Sequence, residues 1–517
     1  MQSTAMKKTS LVIAVLVLLM LMMRSCDSMA LSNGQLRRID KDGDREKDGR
    51  GRRCEAESLT GAVQIFKRAA RVPVNVESFG AVGDGVADDT QAFQSAWQKA
   101  CSTRNAVFLV PGGRRYKVNA TMFRGPCQRS LIVQVFFYFF RIYLIKMLIY
   151  LISRIIYQVS GAIVAPDEPK NWDPQSPRKW LAFSKLRGVK FQGGGMIDGS
   201  GSKWWAASCK IKKTNPCKGA PTALTIDSSS AIMVKNLTIQ FAQQMHFTIS
   251  RSEAIRVSGV RILAPEDSPN TDGIHITRST NVAIQNCHIG TGDDCVSIVN
   301  ASSNIKMKNI KCGPGHGISI GSLGKGNSAG MVTGVVLDTA MITGTTNGLR
   351  IKTWQVSVCG VLYVLWIHRK WPSINYLKLI DEQGGSGYVK SVRFENVKMI
   401  GVKNPIIINQ FYCDSPITCK NQTSAVKISE VIYRNISGTS RTPKAMTFAC
   451  SSTVPCSNIV LNNINLRTGD GTAETFCNCA MGFDYGTVQP KADCLKSSSC
   501  GGVQYQKLKP EPTHTEL

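Results

Sequence analysis

The stretch Ile232-Met-Val-Lys-Asn-Leu-Thr-Ile239 recurs along the chain in altered form. Apolar residues alternate on both sides of a central Asn or Gly, and the pattern returns at 255–262, 282–289 and 305–312. The central residues of these four copies lie 23, 27 and 23 residues apart. A unit this small cannot bury its own apolar face, but stacking of successive units does so. The repeat therefore predicts an all-β parallel β-helix, with an antiparallel sandwich as the alternative.

The composition is that of a globular protein with an unusual charge. The chain has 517 residues, of which 43% are hydrophobic, so it is neither disordered nor collagen-like. Its formal net charge is +28 at pH 7. Such an excess favours an anionic partner, which is a nucleic acid, a membrane surface or an acidic polymer.

The N-terminus indicates secretion. Lys7 and Lys8 precede the apolar run Leu11 to Met23, and Ser28-Met-Ala30 supplies small residues for cleavage. This order predicts a signal peptide at 1–30, while the alternative, a membrane anchor, is disfavoured because the run is short. Secretion disfavours a cytosolic or nuclear role with nucleic acid. Five Asn-x-Ser/Thr acceptor sites agree with an extracellular glycoprotein: Asn119, Asn236, Asn300, Asn421 and Asn435.

Three further regions complete the predicted organisation. Residues 31–73 are polar and basic, which is typical of a linker or pro-segment. The β-helix is predicted at 74–500 and a short tail at 501–517. We expect Asp89 to cap a helix that runs through Phe93 and Trp97 and covers the open end of the β-helix.

The 18 cysteines predict disulfides rather than a metal site. The spacing of Cys477 and Cys479 does not suit a zinc ligand set, so no metal is expected. Several others form short-range pairs that would close local disulfides in an oxidising compartment: Cys209/Cys217, Cys413/Cys419, Cys450/Cys456 and Cys494/Cys500.

Two segments, 135–158 and 356–383, interrupt the repeat. Each begins with Val after Gln and ends in Gln, and those codons match the two ends of an intron. The step from Thr339 to Asn396 is 57 residues, and removal of the second segment's 28 residues restores the repeat. We therefore hypothesise that both segments are retained introns or gene-prediction errors. The first could instead span a membrane, but its three cations make insertion costly.

Three carboxylates are predicted to meet on adjacent coils. Asp272 lies 21 residues, about one coil, before Asp293, which Asp294 follows directly. Crowded acids repel, so one should hold its proton near neutral pH while the others ionise. That combination suits general acid and base catalysis. A calcium site or a solvated acidic edge is the alternative.

The next coils supply cations. His316 lies among glycines, and Arg350 and Lys352 are two residues apart, on one face of a predicted strand. A fixed Arg/Lys pair beside acids suits a substrate that is itself a carboxylate.

Four motifs in order resemble those of the plant polygalacturonases, glycoside hydrolase family 28. They are Asn270-Thr-Asp-Gly273, Gly292-Asp-Asp294, Gly315-His-Gly317 and Arg350-Ile-Lys352. The resemblance implies a right-handed parallel β-helix, a solenoid of the pectin lyase-like type, without a cofactor. It also implies a secreted cell-wall enzyme that hydrolyses α-1,4-galacturonosyl linkages with inversion. The partner would then be acidic polysaccharide, and we expect a monomer without stable membrane association.

The resemblance also implies a role for each catalytic residue. Asp293 would protonate the leaving oxygen, and Asp272 and Asp294 would activate the water. His316 would support the protonation of the acid.

Substrate-binding roles follow in the same way. Arg350 and Lys352 would hold the galacturonate carboxylate, with Asn270 and Tyr412 as further substrate contacts. The resemblance also suggests a disulfide between Cys295 and Cys312.

Two other functions remain open. A pectate lyase would share the β-helix but cleave by β-elimination, and an inactive wall protein would bind pectate without turnover. The segment 356–383 begins soon after Lys352, so it could block the cleft of this chain.

Overall fold

Each copy of the repeat forms strands that pair in parallel with the copies before and after it. The computed structural model describes residues 70–135, 161–172, 178–217, 219–354, 385–413, 425–469, 471, 473–497 and 500. The chain divides into Met1–Lys67 and Arg68–Leu517, and all described residues belong to the second unit. The predicted signal peptide, the C-terminal tail, most of the linker and nearly all of both interrupting segments lie outside the described residues.

The described strands form two sheets. The wide sheet has nineteen strands: Val72–Asn75, Asp84–Asp88, Ala106–Val110, Arg115–Lys117, Ile132–Val135, Ala162–Val164, Lys190–Gln192, Met196–Asp198, Met233–Lys235, Thr238–Gln240, Glu253–Ser258, Arg261–Leu263, Thr280–Gly290, Ser302–Cys312, Ala329–Thr343, Ser386–Val402, Lys427–Ser440, Cys456–Thr468 and Ala480–Gln489. The narrow sheet has eleven: Thr121–Arg124, Lys179–Ser184, Thr222–Asp227, Phe247–Ser250, Ile274–Thr277, Val296–Ile298, Ile318–Leu323, Asn347–Trp354, Asn404–Tyr412, Lys444–Ala449 and Glu474–Asn478.

Helices are few among the described residues. The α-helices are Thr90–Ser102, Ser202–Ala206 and Cys494–Ser497, and the 3-10 helices are Val76–Phe79, Pro169–Asn171 and Lys325–Asn327. In this part of the chain, no helix has the length and apolar character needed to cross a membrane. The parallel pairing throughout both sheets confirms the predicted β-helix and excludes the antiparallel sandwich.

The central residues of the repeat bend each coil within the wide sheet. Asn286 and Asn309 have φ of 55° and 53°, the left-handed conformation that Asn adopts more readily than most residues. The Asn309 side-chain amide donates to Asn286 Oδ1 at 2.8 Å, so the column also forms an amide ladder. The sequence therefore marks the bend of each coil directly.

The interior is a set of apolar columns that run through successive coils. Ile255, Val282, Ile305 and Val335 occupy one register position on four neighbouring strands, and each is at most 1% exposed. Burial of one such side chain contributes about 1.5–3 kcal/mol. The columns thus replace the single core of a globular domain.

The helix Thr90–Ser102 packs against the first coils. Phe93 and Trp97 lie 5.9 and 5.8 Å from Phe108, measured between ring centroids. The predicted cap by Asp89 is wrong, because its side chain makes no capping bond. Asp89 instead accepts hydrogen bonds from the backbone amides of Val82 and Gly83, which hold the preceding loop.

Six disulfides join described cysteines. The predicted pairs Cys209–Cys217, Cys450–Cys456 and Cys295–Cys312 are present. The predicted Cys494–Cys500 pair is wrong, because the last strand of the narrow sheet brings other partners closer. Cys494 bonds Cys477 and Cys500 bonds Cys479, and Cys101–Cys127 completes the set. Cys413 is also disulfide-bonded, but its predicted partner Cys419 lies outside the described residues.

Candidate active site

The predicted site residues lie on consecutive strands of the narrow sheet. Asp272 precedes Ile274–Thr277, and the two acids Asp293 and Asp294 precede Val296–Ile298. His316 precedes Ile318–Leu323, and Arg350 and Lys352 lie within Asn347–Trp354. Neighbouring strands in a sheet lie about 4.8 Å apart, so three loops and one strand from successive coils meet here.

One register position links these strands. His275, Ser297, Ser319 and Arg350 are aligned partners on four successive strands. Each lies between two buried apolar residues, because side chains on a strand alternate between faces. The column therefore points polar groups outward beneath the acidic loops.

Asp294 is buried and ion-paired with two cations. Arg350 Nη2 donates to its Oδ1 at 2.6 Å, and Lys352 Nζ donates to its Oδ2 at 3.0 Å. Ser319 Oγ adds a third hydrogen bond at 2.7 Å. One carboxylate neutralises only one of the two cations, so the cluster of these residues keeps one positive charge for a bound anion.

Asp293 forms a pair with His316. His316 Nδ1 lies 2.9 Å from Asp293 Oδ1, and the amide of Asn270 donates to Oδ2 at 3.3 Å. Burial disfavours the charged carboxylate, yet the bond to His316, its charge and that of Lys352 lower the pKa of Asp293 to about 2. The same bond raises the pKa of His316 above its ordinary range. In the unliganded chain, the pair thus holds its proton on His316.

Asp272 has the opposite environment. Burial is the main cause of its raised pKa, and the charges of Asp293 and Asp294 add to it. Ser297 Oγ donates to its Oδ2 at 2.6 Å, and Ser297 in turn contacts His275 Nδ1 at 2.8 Å. The acid with the raised pKa is therefore Asp272, whereas the sequence-based assignment placed the proton on Asp293.

A buried histidine supports the loop that carries Asp272. His246 lies fully inside, and its Nδ1 is 3.2 Å from the carbonyl oxygens of both Thr271 and Asp272. Burial lowers its pKa to about 4, so the ring is neutral at ordinary pH.

Aromatic rings extend the site beyond Lys352. Lys352 Nζ lies 5.2 Å from the ring centroid of Tyr412, and Trp354 packs edge-on against the same ring at 5.2 Å. Lys325 Nζ lies 4.8 Å from the Trp354 ring. Lys325, Lys352 and the two rings thus form a surface with both aromatic faces and positive charge.

The site offers a poor environment for a divalent cation. One ligand atom from each of Asp293, Asp294 and His316 lies within 4.8 Å of the others. Arg350 and Lys352 already occupy both oxygens of Asp294, and their charges would repel a metal ion.

The described residues that flank the second interrupting segment lie close together. A methyl group placed on Gly324 would lie 2.9 Å from Gly385 Cα and 3.5 Å from the carbonyl oxygen of Trp354. The described chain on either side of 355–384 therefore meets at Gly324.

Sequence reasoning missed the supporting residues His246, His275, Ser297 and Ser319. A signal for three of them exists, because Ile-His-Ile, Val-Ser-Ile and Ile-Ser-Ile precede Leu-Arg-Ile at one triplet per coil. His246 carries no such signal, since its role depends on backbone oxygens of a loop 25 residues away.

The acids, the paired cations and the stacked loops place the chain in a family. The family model described as "Glycosyl hydrolases family 28" matches residues 101–382 and 371–483. The chain belongs to glycosyl hydrolase family 28. Among its relatives in this family, a polygalacturonase of Juniperus ashei is 40% identical over 90% of this chain and 82% of its own. A polygalacturonase of Persea americana is 41% identical over 79% of this chain and 76% of its own.

Solved structures share the fold of this family-28 chain. An endo-xylogalacturonan hydrolase from Aspergillus tubingensis aligns with a TM-score of 0.60 at 19% identity, covering 79% of this chain and 96% of its own. A polygalacturonase from Erwinia carotovora aligns with a TM-score of 0.57 at 20% identity, covering 78% and 95%. At this identity the likeness concerns the fold.

Proposed function

We propose that this family-28 chain is a secreted hydrolase that cleaves the α-1,4-galacturonosyl linkages of de-esterified pectin. Its curated relatives are named polygalacturonases. The observation that carries the proposal is the division of the three acids among different partners. Asp293 shares a proton with His316, Asp272 accepts from a serine hydroxyl and has a raised pKa, and Asp294 holds two cations.

Asp293 acts as the general acid through its histidine. The Asp293–His316 pair stores one proton, mainly on His316 in the unliganded chain. When the glycosidic oxygen displaces water from Asp293, the charged carboxylate loses solvation and the proton moves onto it across the 2.9 Å contact. Asp293 then donates this proton to the leaving oxygen as the glycosidic bond breaks.

Asp272 acts as the base. It takes one proton from the attacking water while the water oxygen bonds to the anomeric carbon, which inverts the configuration. Asp294 Oδ2, which among the described residues accepts only from Lys352, retains one acceptor position that can orient the same water. Its two cations make it the weaker base of the two, so we assign the proton transfer to Asp272.

Arg350 and Lys352 bind the sugar carboxylate. Both contact Asp294, whose single negative charge neutralises only one of them. The remaining positive charge is available to the substrate carboxylate. Asn270 and Tyr412 border this position from the acid side and the Lys352 side. A neutral sugar would leave the excess charge unpaired, so the site favours galacturonate over its methyl ester.

The direct test measures new reducing ends and the ultraviolet absorbance of unsaturated ends in the same reaction. The chain as encoded and the chain without 135–158 and 356–383 would be incubated with de-esterified polygalacturonate and a calcium chelator. New reducing ends without ultraviolet absorbance of unsaturated ends would support hydrolysis. Unsaturated ends would indicate β-elimination, and folded chains that release nothing would indicate a binding protein.

A further inference from the structure

The outer face of the wide sheet carries cations that the catalytic site does not use. Arg256 and Arg261 lie on either side of the bend residue Gly259, and Lys306 and Lys311 lie on either side of Asn309. All four side chains are exposed. We call these four cations the basic ridge.

The register aligns the ridge along the β-helix axis. Arg261, His288 and Lys311 are partners on three successive strands, and Arg256, Ala283 and Lys306 are partners on the same strands. Strands in a sheet lie about 4.8 Å apart, so the cations form two parallel rows about 10 Å long.

The ridge lacks counter-charges within the described chain. None of its four cations forms an ion pair with a described residue. Three acids on strands of the same sheet are engaged elsewhere. Asp338 pairs with Lys308, Glu395 pairs with Arg393 and Arg434, and Glu253 accepts from the Asn281 amide.

This arrangement costs stability on its own. The two cations of each row lie two strands apart and repel across the strand between them. The effect reaches His288 on that strand, whose pKa is lowered by burial and then by Arg261 and Lys311. A bound polyanion would relieve the repulsion. The exposed amides of Asn286 and Asn309, which run between the two rows, add hydrogen-bonding groups for sugar hydroxyls.

We propose that the basic ridge is a second, non-catalytic binding surface for de-esterified polygalacturonate. A uronate chain presents one carboxylate per sugar, and the ridge presents cations at every second strand along two parallel rows. Binding there would hold the enzyme on its polymer while the cleft releases products. The identity of the polymer rests on the proposed function, but the polyanion-binding surface does not.

The test compares a variant that lacks the four ridge charges with a control variant that lacks four exposed charges elsewhere. The ridge variant is Arg256→Gln/Arg261→Gln/Lys306→Gln/Lys311→Gln. The control variant, Lys99→Gln/Arg104→Gln/Arg129→Gln/Lys185→Gln, removes four exposed cations near the first coils. Both are made in the Asp293→Asn background so that the polymer stays intact, and circular dichroism verifies folding.

Affinity for de-esterified polygalacturonate is measured across a salt series. The ridge variant should bind at least about tenfold more weakly than the control variant, with a slope of log Kd against log salt lower by roughly 1 to 3. Fully methyl-esterified pectin, which lacks the carboxylates, should not distinguish the two variants. Equal affinities and slopes of both variants for polygalacturonate would overturn the proposal.

Hydrolysis separates the two proposals. With Asp293 intact, the ridge variant should cleave trigalacturonate, which is too short to reach the ridge from the cleft, at the rate of the unmodified chain. If the ridge variant and the unmodified chain both cleave trigalacturonate, but the ridge and control variants bind the polymer equally well, only the ridge proposal is overturned. Failure of the folded, unmodified chain to cleave overturns the proposed function and leaves the salt-series result to decide the ridge.

Discussion

Asp272, Asp293 and Asp294 lie within two neighbouring loops and have three different environments. Cations surround Asp294, a histidine contacts Asp293, and burial with a serine hydroxyl surrounds Asp272. The three side chains are identical, so their different surroundings determine which one acts as acid, which as base and which holds the cations.

Asp293→Asn should lower kcat by at least about 100-fold, because the amide N–H is too weakly acidic to transfer a proton to the leaving oxygen. Initial rates of reducing-end release from polygalacturonate measure this. Asp338→Asn, which changes an aspartate on the wide sheet, is the control and should retain activity. Near-normal turnover of Asp293→Asn would remove Asp293 from its role.

The pH profile of kcat/KM should be bell-shaped. Asp272 must be ionised, so activity falls as pH drops through its pKa, which lies above the ordinary carboxyl value. The Asp293–His316 pair must hold a proton, so activity falls as pH rises through the pKa of His316, which lies above its ordinary value. Ser297→Ala removes a donor to ionised Asp272 and should move the acid limb to higher pH.

The control for that shift is Ser303→Ala, a serine on the wide sheet whose hydroxyl contacts Thr280. It should leave both limbs in place. An unchanged acid limb in Ser297→Ala would show that Asp272 does not set it.

Lys352→Ala should raise KM for polygalacturonate by about tenfold or more, because one of the two cations that bind the carboxylate is lost. Steady-state kinetics measure this, with the exposed Lys185→Ala as control. An unchanged KM would contradict the carboxylate-binding role.

At the scale of the element, the bend of each coil depends on one residue. Asn309→Ala should destabilise the fold by about 1–2 kcal/mol more than Asn309→Gly, because Ala is strained at a φ of 53° and Gly is not. Both variants lose the ladder bond to Asn286, so their difference isolates the backbone. Urea unfolding followed by circular dichroism measures it, and equal midpoints would contradict the strain.

Elements also show how far sequence reasoning reaches. Strand positions, bends and the four motif loops follow from local pattern and a near-constant period, so the sequence predicts them. The bond from Ser297 to Asp272 and the use of Asp89 by a preceding loop depend on side-chain distances that no period encodes. The pairing of Cys494 with Cys477 was missed for the same reason, since proximity in sequence is a weak guide to proximity between strands.

At the scale of the molecule, the register holds across the second interruption. Ala329–Thr343 pairs with Ser386–Val402 without a shift, although the chain between them includes 355–384. Deletion of 356–383 leaves two residues between Trp354 and Gly385. Trp354 and Gly385 both lie beside Gly324. Three peptide units span up to roughly 10 Å, which suffices to close this gap.

The chain without 356–383 should therefore be secreted and folded, with the β-sheet circular dichroism spectrum of the full chain. Its activity on polygalacturonate should equal or exceed that of the full chain. In contrast, a shorter deletion of Thr333–Ile342, which removes paired strand residues, should abolish folding. Loss of folding in the first deletion as well would contradict the view of 356–383 as an insertion.

The ends of the β-helix have a consequence for how long such a molecule can be. Each interior coil pairs with the coil before it and the coil after it, so only the first and last coils leave strand edges to which another chain could add. The helix Thr90–Ser102 covers one end, and Cys477–Cys494 ties a short helix beside the last strands at the other. These two helices hinder the end-to-end addition of another chain. Reduction of Cys477–Cys494, which releases the second helix, is expected to expose the last strands to end-to-end association.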